Sequence, residues 1–507
     1  MRNNESFNFD DAVFTYFVSS QVNPMFKKQV EFAKRRLVIN HTEGTSVLIS
    51  SNSHESVCVI GLCVDSHAEI KRNKIPDYLL HNENLGNLFM KTRRLAGRFV
   101  ILYETKGEVI VFNDPAGLLS VFYNLGKDVC LSSCDELIRK HFDYEYCDEH
   151  LDIRNGSLLL SLQMPNDITV SKNVKALLPN HYIDIDKLNP VRFFPVNGWN
   201  PKLKFGEKQQ GFKKMFEKHI TLIDNIVSEY AKYYDIAAPI TSGYDSRVVL
   251  SFLRRKIKNI PCYTFKHDSF NAETPDFYIP PKICEVLKLS HAIIPDADVS
   301  DAFFKEIQAV IGEYHMKYTV DLGQTFISKF KGKALVTGCI SEHIGKLYWG
   351  DSGPLYLANL DFFKSMHNNT SKHLHNHVKP HFDELNGKFT YKYIHDLFAL
   401  EIMGARWSAQ ALMIYGVMGV SALNIYNCRE IIEDWMCVPR KLRKNKKFIH
   451  YSFLERLAPE LLTFPFNPTT DKKEQTKSRI YENPLLLCLY RHYAWIRRSM
   501  RKGEQTR

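Results

Sequence analysis

The chain has 507 residues, of which 44% are hydrophobic and 24% are charged, and its formal net charge is +11. These proportions are typical of a folded globular protein and exclude extended disorder, while the length favours two domains. The N-terminus has no signal-peptide-like apolar core and no 18-residue apolar run follows it, which predicts a cytoplasmic protein without a transmembrane segment.

The positive charge and the cysteines indicate whether nucleic acid, an anionic membrane or zinc is to be expected as a partner. Much of the charge lies in residues 440–447 and 491–507. Such runs usually form solvated faces, and a nucleic-acid or anionic-membrane patch is the alternative. The 11 cysteines are scattered without a C-x-x-C pair, which favours reduced thiols over a zinc site. We therefore expect no nucleic-acid partner.

Residues up to about 200 are predicted to be mostly β-structure with short helices. Residues 56–64 form a strand candidate, and residues 98–103 and 109–112 are predicted to pair as a hairpin. Residues 121–123 and 129–132 are predicted to form a second hairpin.

A domain boundary is predicted at residues 195–205, where proline, glycine and asparagine are concentrated. The predicted domains are therefore residues 1–200 and 201–507. An amphipathic helix is predicted over residues 212–230, at the start of the second domain.

The most informative stretch is residues 236–253, which predict a strand, a tight turn and a helix. Residues 236–240 are apolar, as a central parallel strand covered on both faces should be. Three small residues, 241–243, follow, and a helix is predicted from Tyr244 or Asp245. A helix N-terminus after such a turn can bind an anion, and the Asp245 carboxylate could hold Mg²⁺ bridging to a phosphate. An ordinary strand–turn–helix corner is the alternative.

The rest of the chain predicts a doubly wound α/β sheet followed by helices. Further strands are predicted at residues 260–266, around His291 and from Ala334, with a helix between the first two. Helices are then predicted as follows: residues 391–403, 407–417, 429–436 and 447–457.

Several motifs in the second domain resemble the asparagine synthetase family. Residues 241–246 (TSGYDS) resemble the S-G-G-x-D-S pyrophosphate loop of ATP pyrophosphatases, with Thr and Ser at two positions. Residues 334–350 resemble the segment that faces this loop in asparagine synthetases, and residues 406–410 and 430–439 are similar to the C-terminal part of that family. The resemblance implies a doubly wound α/β ATP-pyrophosphatase domain with extra C-terminal helices.

The first domain resembles a class II glutamine amidotransferase domain. Residues 96–103, 113–123, 131–133 and 178–182 follow its run of motifs in order. The resemblance implies an N-terminal αββα sandwich of the Ntn type. The family has a nucleophilic Cys after the initiator Met, whereas this chain has Arg2 there.

Two further departures affect the same domain. The first cysteine is Cys58, and Asn113 stands where the family has an arginine before Asp114. We therefore predict a pseudo-glutaminase that does not hydrolyse glutamine.

The synthetase resemblance also implies particular site residues. The ATP- and pyrophosphate-binding residues would be Thr241, Ser242, Gly243, Tyr244, Asp245, Ser246, Phe265 and Gly338. Asp245 and Glu342 would hold Mg²⁺. Lys472 or Lys473 would brace the α-phosphate, with Lys477 as an alternative.

The function implied is ATP-dependent amide formation. A carboxylate substrate would attack the α-phosphate of ATP to give an acyl-adenylate and pyrophosphate, and ammonia or an amine would then displace AMP. A homodimer is a possible assembly, and surface-polysaccharide biosynthesis is one pathway compatible with the family.

Two alternatives stay open. One is a catalytically inactive scaffold or regulatory protein, favoured by departures from the family pattern at Ser242, Glu342, His343 and residues 420–427. The other is a tRNA-modifying ATP pyrophosphatase, favoured by the basic charge and opposed by the glutaminase-like first domain.

Overall fold

The structure is a computed structural model. It describes residues 7–32, 37–157, 164–196, 208–266, 270–295, 298–313, 317–345, 360–389 and 391–468, with a few single residues between 480 and 493. Everything below refers to these residues.

The strands and helices are numbered in chain order. The strands are β1 Tyr16–Ser19, β2 Lys28–Phe32, β3 Leu37–His41, β4 Val47–Ser51, β5 Glu55–Asp65, β6 Leu95–Thr105, β7 Glu108–Asn113, β8 Phe122–Asn124, β9 Leu131–Ser132, β10 Val174–Ala176, β11 His181–Asp184, β12 Val191–Arg192, β13 Ile236–Pro239, β14 Cys262–Lys266, β15 His291–Pro295, β16 Ala334–Thr337 and β17 Ala422–Asn424. The α-helices are α1 Ile75–Leu79, α2 Leu85–Thr92, α3 Asp135–His141, α4 Asp148–Gly156, α5 Lys208–Tyr230, α6 Tyr244–Lys256, α7 Pro275–Leu287, α8 Asp301–Ile311, α9 Lys317–Phe330, α10 Leu360–Met366, α11 Leu374–Lys388, α12 Tyr391–Phe398, α13 Ala409–Val417, α14 Arg429–Cys437, α15 Arg440–Lys446 and α16 Phe448–Leu457.

The strands up to β12 form two antiparallel six-stranded sheets. The first sheet has the order β10-β8-β9-β1-β3-β2, and the second has the order β12-β11-β7-β6-β5-β4. The predicted strand at residues 56–64 is β5, and the two predicted hairpins are β6–β7 and β8–β9, each paired antiparallel. The β-rich prediction for this part of the chain is confirmed.

Both faces of the second sheet are buried because side chains alternate along its long strands. On β5, Val57 and Val59 pack with Ile75 and Leu79 of α1. Ile60, from the opposite face of β5, belongs to the main core, which also contains side chains of β1 and β3 from the first sheet. The other face of the first sheet packs with α3 and α8. The layers therefore run helix, sheet, sheet, helix.

The later strands form one parallel five-stranded sheet with the order β15-β14-β13-β16-β17. The chain proceeds from β13 to β14 and β15 on one side, and then places β16 and β17 on the other side. The winding direction therefore reverses between β13 and β16, and in open α/β sheets ligands bind at the carboxyl end of such a switch point. The predicted doubly wound α/β sheet is confirmed as a parallel sheet flanked by helices, and its edge strand β17 was not predicted.

The predicted break between helices at residues 404–406 is wrong. α12 continues through a π-helical segment, Ala399–Ser408, into α13. The wider turn accommodates Glu401, whose buried carboxylate accepts hydrogen bonds from Arg192 and Asn180 of the antiparallel part. Irregular helical turns of this kind are found where a side chain must be placed at an unusual angle.

The prediction that the basic run at residues 440–447 is a solvated face is also wrong in part. Arg440 and Arg443 of α15 both donate to the Asp396 carboxylate. Arg443 is only 1% exposed, and its side chain also donates to the Val438 and Ile344 carbonyl oxygens. Two basic residues of this run therefore belong to the internal structure, because one buried carboxylate pairs with both arginines.

The described cysteines agree with the prediction of reduced thiols. Ten cysteines lie in the described residues and all are free. Among the helices described, none is long and apolar enough to cross a membrane.

Candidate functional site

The predicted loop lies at the carboxyl end of β13, beside the switch point. Strand β13 ends at Pro239, and Gly243 is the N-cap of α6, which begins at Tyr244 as predicted. The N-terminus of α6 therefore faces the edge of the sheet where ligands bind in folds of this kind.

The first three N–H groups of the loop have partners within the protein. The Thr241 N–H donates to Ser246 Oγ at 3.0 Å, and the Gly243 N–H donates to Thr241 Oγ1 at 3.1 Å. The Ser242 N–H donates to Asp276 Oδ1 at 2.6 Å. The loop is thus folded on itself and onto a carboxylate at the start of α7, and in this arrangement these donors do not point at open solvent.

Asp245 is held from across the switch point. Ser341 Oγ donates to Asp245 Oδ1 at 2.8 Å, and His450 Nε2 lies 3.0 Å from the same oxygen. The carboxylate side chain remains 20% exposed. A Cβ on Gly338 would come within 2.9 Å of the Asp245 Cβ, so glycine permits the loops after β13 and β16 to meet. The structure therefore brings together two of the predicted site residues, Asp245 and Gly338.

Ser242 connects the loop to the segment that follows α16. Arg247 donates to the Ser242 carbonyl oxygen at 2.9 Å and to the carbonyl oxygens of Leu461, Phe464 and Pro465. This guanidinium is buried, and burial lowers the pKa of Arg247 to about 10. The four carbonyl contacts fix the segment of residues 461–467 over the loop.

Aromatic rings close the same side of the site. Tyr244 stacks on Phe466 with ring centroids 4.1 Å apart, and Tyr451 packs edge-on against both rings. Phe265, one of the predicted ATP-binding residues, lies at the carboxyl-terminal part of β14, half-buried, with its ring 5.2 Å from that of Tyr263. Phe265 is thus on the strand next to the loop.

The second predicted carboxylate, Glu342, lies in a short π-helical turn, Ser341–Gly345, after β16. Glu342 is half-buried, and its backbone N–H donates to the Gly338 carbonyl oxygen. His343 is buried and contacts Ser408 Oγ through Nε2 at 2.9 Å. No group of three or more His, Cys, Asp or Glu side chains within the described ranges is arranged to hold a metal ion.

The predicted lysines, Lys472, Lys473 and Lys477, lie outside the described residues. At this end of the described chain, Asn467 also contacts the loop. Its backbone N–H donates to the Ser242 carbonyl oxygen, and its Oδ1 lies 3.2 Å from Ser242 Oγ.

Sequence reasoning missed three side chains that contact the loop: Asp276, His450 and Asn467. Asp276 had a recognisable signal, because an acid in the first turn of a helix that follows a parallel strand lies at the ligand-binding edge of the sheet. His450 and Asn467 are 205 and 225 residues from their partners, and no local pattern marks them.

Asp114 and Asn113, from the segment compared above with a glutaminase motif, are part of the internal structure of the antiparallel part. Asp114 is fully buried and accepts hydrogen bonds from the N–H groups of Phe99, Leu118 and Leu119 and from Asn427 Nδ2. Burial raises the pKa of Asp114. Asn113, at the position of the family's arginine, donates to the Leu177 carbonyl oxygen.

The segment before β1 is also part of the packed structure. Strand β1 begins at Tyr16, and the preceding segment packs on α13, where the Val13 N–H donates to the Gly416 carbonyl oxygen at 2.8 Å. Arg2 itself lies outside the described residues. Strand β1 is therefore preceded by a segment that is itself packed in the structure.

No protein-family model matches the sequence, and no curated protein is significantly similar to it. Two solved structures overlap with the chain at 10% identity. The first is a glutamine phosphoribosylpyrophosphate amidotransferase from B. subtilis complexed with ADP and GMP, with a TM-score of 0.20 over 54% of this chain and 56% of that one. The second is described as the allosteric regulatory enzyme of purine biosynthesis, with a TM-score of 0.23 over 60% of this chain and 73% of that one. Overlaps at these scores carry no argument about a shared fold or activity.

Proposed function

We propose that the protein is an ATP-dependent amide-forming ligase of the asparagine synthetase type, with the nucleotide bound at the switch point between β13 and β16. One observation carries this proposal: the six residues Thr241–Ser246 and the N-terminus of α6 lie at that switch point, opposite Gly338 and Ser341. Helix N-terminal N–H groups and the helix dipole both favour a phosphate at this position.

The proposed reaction has two steps. A carboxylate oxygen of the substrate attacks the α-phosphorus of ATP, and pyrophosphate leaves with the electrons of the broken P–O bond. The nitrogen of ammonia or an amine then attacks the acyl carbon and loses a proton, and AMP leaves. The loop would bind the pyrophosphate part of ATP.

The chemistry of the loop fits Mg²⁺ bound together with nucleotide. Mg²⁺ is usually held by one or two protein carboxylates together with substrate phosphates and water, and does not need a cage of protein ligands. Asp245 offers a partly exposed carboxylate beside the loop. Asp245, with Glu342 as the second candidate, would hold the ion, which would offset the negative charge of the phosphates.

The chain length permits a lysine to complete this site. Asn467 contacts Ser242, and Lys472 and Lys473 follow it by five and six residues. We therefore retain Lys472 and Lys473 as candidates for stabilising charge on the α-phosphate.

The antiparallel part supports ligation without glutamine hydrolysis. Its helix, sheet, sheet, helix layering is the arrangement expected of an Ntn-type domain, but Asp114 is fully engaged in internal hydrogen bonds. The amine would then come from free ammonia, from a partner, or from the substrate itself.

ATP–pyrophosphate exchange over a panel of carboxylic acids tests this function. We expect exchange with at least one acid and a loss of about 100-fold or more in Asp245→Asn, the size typical of losing one electrostatic group at a phosphoryl site. Glu273→Gln is the control, because Glu273 is an exposed acid in the segment just before α7 and its change also removes one negative charge. Equal exchange in Asp245→Asn and wild type would contradict the proposal.

A non-catalytic scaffold is the second candidate, favoured by the internal partners of the three loop N–H groups. Calorimetric titration with Mg-ATP separates the two. Binding that depends on Asp245 supports the ligase, and no binding by the wild-type protein leaves only the scaffold.

A further inference from the structure

We propose that Asp276 is an internal anion that closes the pyrophosphate loop and that a nucleotide phosphate must displace. This inference rests on the proposed function, since it concerns how the same loop is kept from binding anions in the absence of nucleotide. It rests on one contact: the Asp276 carboxylate accepts hydrogen bonds from the loop donors that a phosphate would otherwise use.

Two donors of Ser242 share one carboxylate oxygen of Asp276. The Ser242 N–H and the Ser242 hydroxyl both donate to Asp276 Oδ1, each at 2.6 Å. Hydrogen bonds to an ionised carboxylate are shorter and roughly twice as strong as neutral ones. Ser242 is 2% exposed, whereas Asp276 is half-buried, so the donors lie away from water and the carboxylate lies at the edge of the site.

The residue at position 242 makes this closure possible. A glycine there would supply only the backbone N–H, whereas serine adds the second donor. The other face of Ser242 is fixed as well, because Arg247 and the Asn467 N–H donate to its carbonyl oxygen. A phosphate oxygen therefore meets a loop whose central residue is already bound on both sides.

The Asp276 carboxylate remains near the N-terminus of α7 if it leaves Ser242. It lies in the first turn of α7, whose N-cap, Thr274, makes no side-chain capping bond. The first N–H groups of a helix lack intrahelical partners and favour a carboxylate near them. In α7, Pro275 has no N–H and the Phe277 N–H donates to the Thr274 carbonyl oxygen, so a carboxylate that leaves Ser242 would be stabilised by the helix dipole and by water. The loop would then have a closed and an open arrangement.

The consequence is selectivity against free anions. Inorganic pyrophosphate would have to displace the Asp276 carboxylate, which belongs to the same chain as the loop. The negative charge of Asp276 would also repel it. Replacing Asp276 with asparagine removes the charge and leaves a weaker acceptor of the same shape. We therefore expect the loop of Asp276→Asn to bind pyrophosphate more tightly than the wild-type loop.

Isothermal titration with inorganic pyrophosphate, with and without Mg²⁺, tests the inference. We expect at least tenfold tighter binding by Asp276→Asn than by wild type and no change in Glu273→Gln, which removes a nearby exposed charge without touching Ser242. Ser242→Gly, which deletes only the hydroxyl donor, should tighten binding by a smaller factor. Ser242→Gly also tests the inference if Asp276→Asn does not fold.

The outcomes separate this inference from the proposed function. Wild-type protein that binds Mg-ATP while Asp276→Asn and Ser242→Gly bind pyrophosphate no more tightly than wild type would overturn the closure alone. Weaker pyrophosphate binding by Asp276→Asn would also overturn it, since Asp276 would then assist the ligand. No binding of Mg-ATP or pyrophosphate by any of the proteins would overturn both.

Discussion

Two aspartates, Asp114 in the antiparallel part and Asp245 at the parallel sheet, both belong to motifs that resemble sites in enzymes, yet their surroundings differ. Asp114 is fully buried and accepts hydrogen bonds from a whole backbone turn and from Asn427. Asp245 keeps a fifth of its side-chain surface exposed, and its Oδ1 is contacted by the side chains of Ser341 and His450.

The comparison shows how two carboxylates can have different roles. The Asp114 carboxylate is satisfied by groups that cannot leave without unfolding the turn, and its bond with Asn427 stabilises the contact between the two parts of the chain. The Asp245 carboxylate lies at the carboxyl end of the parallel sheet and is partly exposed, which is what a residue that meets a ligand requires. The following predictions test this difference, from the largest expected effect to the smallest.

Asp114→Ala should lower the free energy of unfolding by about 3–5 kcal/mol, because it strands several buried N–H donors and Asn427 at once. Urea unfolding followed by circular dichroism measures this change. Asp245→Asn is the matched comparison and should change stability by less than about 1 kcal/mol, since its site is partly exposed. Equal losses in both variants would remove the distinction between the two aspartates.

Gly416→Ala should cost about 1–3 kcal/mol in the same assay, because the new Cβ would lie 2.7 Å from the Val13 carbonyl oxygen and push away the segment before β1. Gly387→Ala, in α11, is the control. A Cβ there meets nothing within 4 Å, so alanine should be neutral or stabilising by up to about 1 kcal/mol. A neutral Gly416→Ala would mean that the segment before β1 does not need its close contact with α13.

The pH dependence of stability should contain a contribution from His367. Burial lowers the pKa of His367 to about 3, and its ring packs against Phe363 and Phe398. Below the unfolded pKa of about 6.5, the unfolded chain binds a proton that the folded protein does not, so this group lowers stability by up to about 1.4 kcal/mol per pH unit as pH falls towards 3.

Removing this titration should therefore flatten the pH profile. His367→Phe should lose less stability than wild type between pH 7 and pH 5, as measured by urea unfolding at each pH. The same slope in both proteins would show that His367 is protonated in the folded state as readily as in the unfolded one.

The sequence predicted the parts of the fold that depend on local pattern. The strand, turn and helix at residues 236–253 and the β6–β7 hairpin follow from apolar periodicity and turn residues, and both are present. The continuous helical stretch through residues 399–408 could not be predicted in this way, because it depends on the buried contact of Glu401 with Arg192.

The site shows the same limit. The positions of Thr241–Ser246 and Gly338 were predictable because each follows an apolar strand. The contacts of Asp276, His450 and Asn467 with the loop depend on how distant segments pack, and they decide whether the loop is open. The state of the loop is therefore a tertiary property that a motif of six residues cannot specify.

The central claim is that the loop after β13 binds the pyrophosphate part of ATP. A crystal structure with Mg²⁺ and a non-hydrolysable α,β-methylene analogue of ATP tests it most directly. The account predicts β- and γ-phosphate oxygens within hydrogen-bond distance of the N–H groups of Ser242–Ser246, with Asp276 turned away from Ser242. A loop that keeps its Asp276 contact, with the nucleotide absent or bound elsewhere, would contradict it.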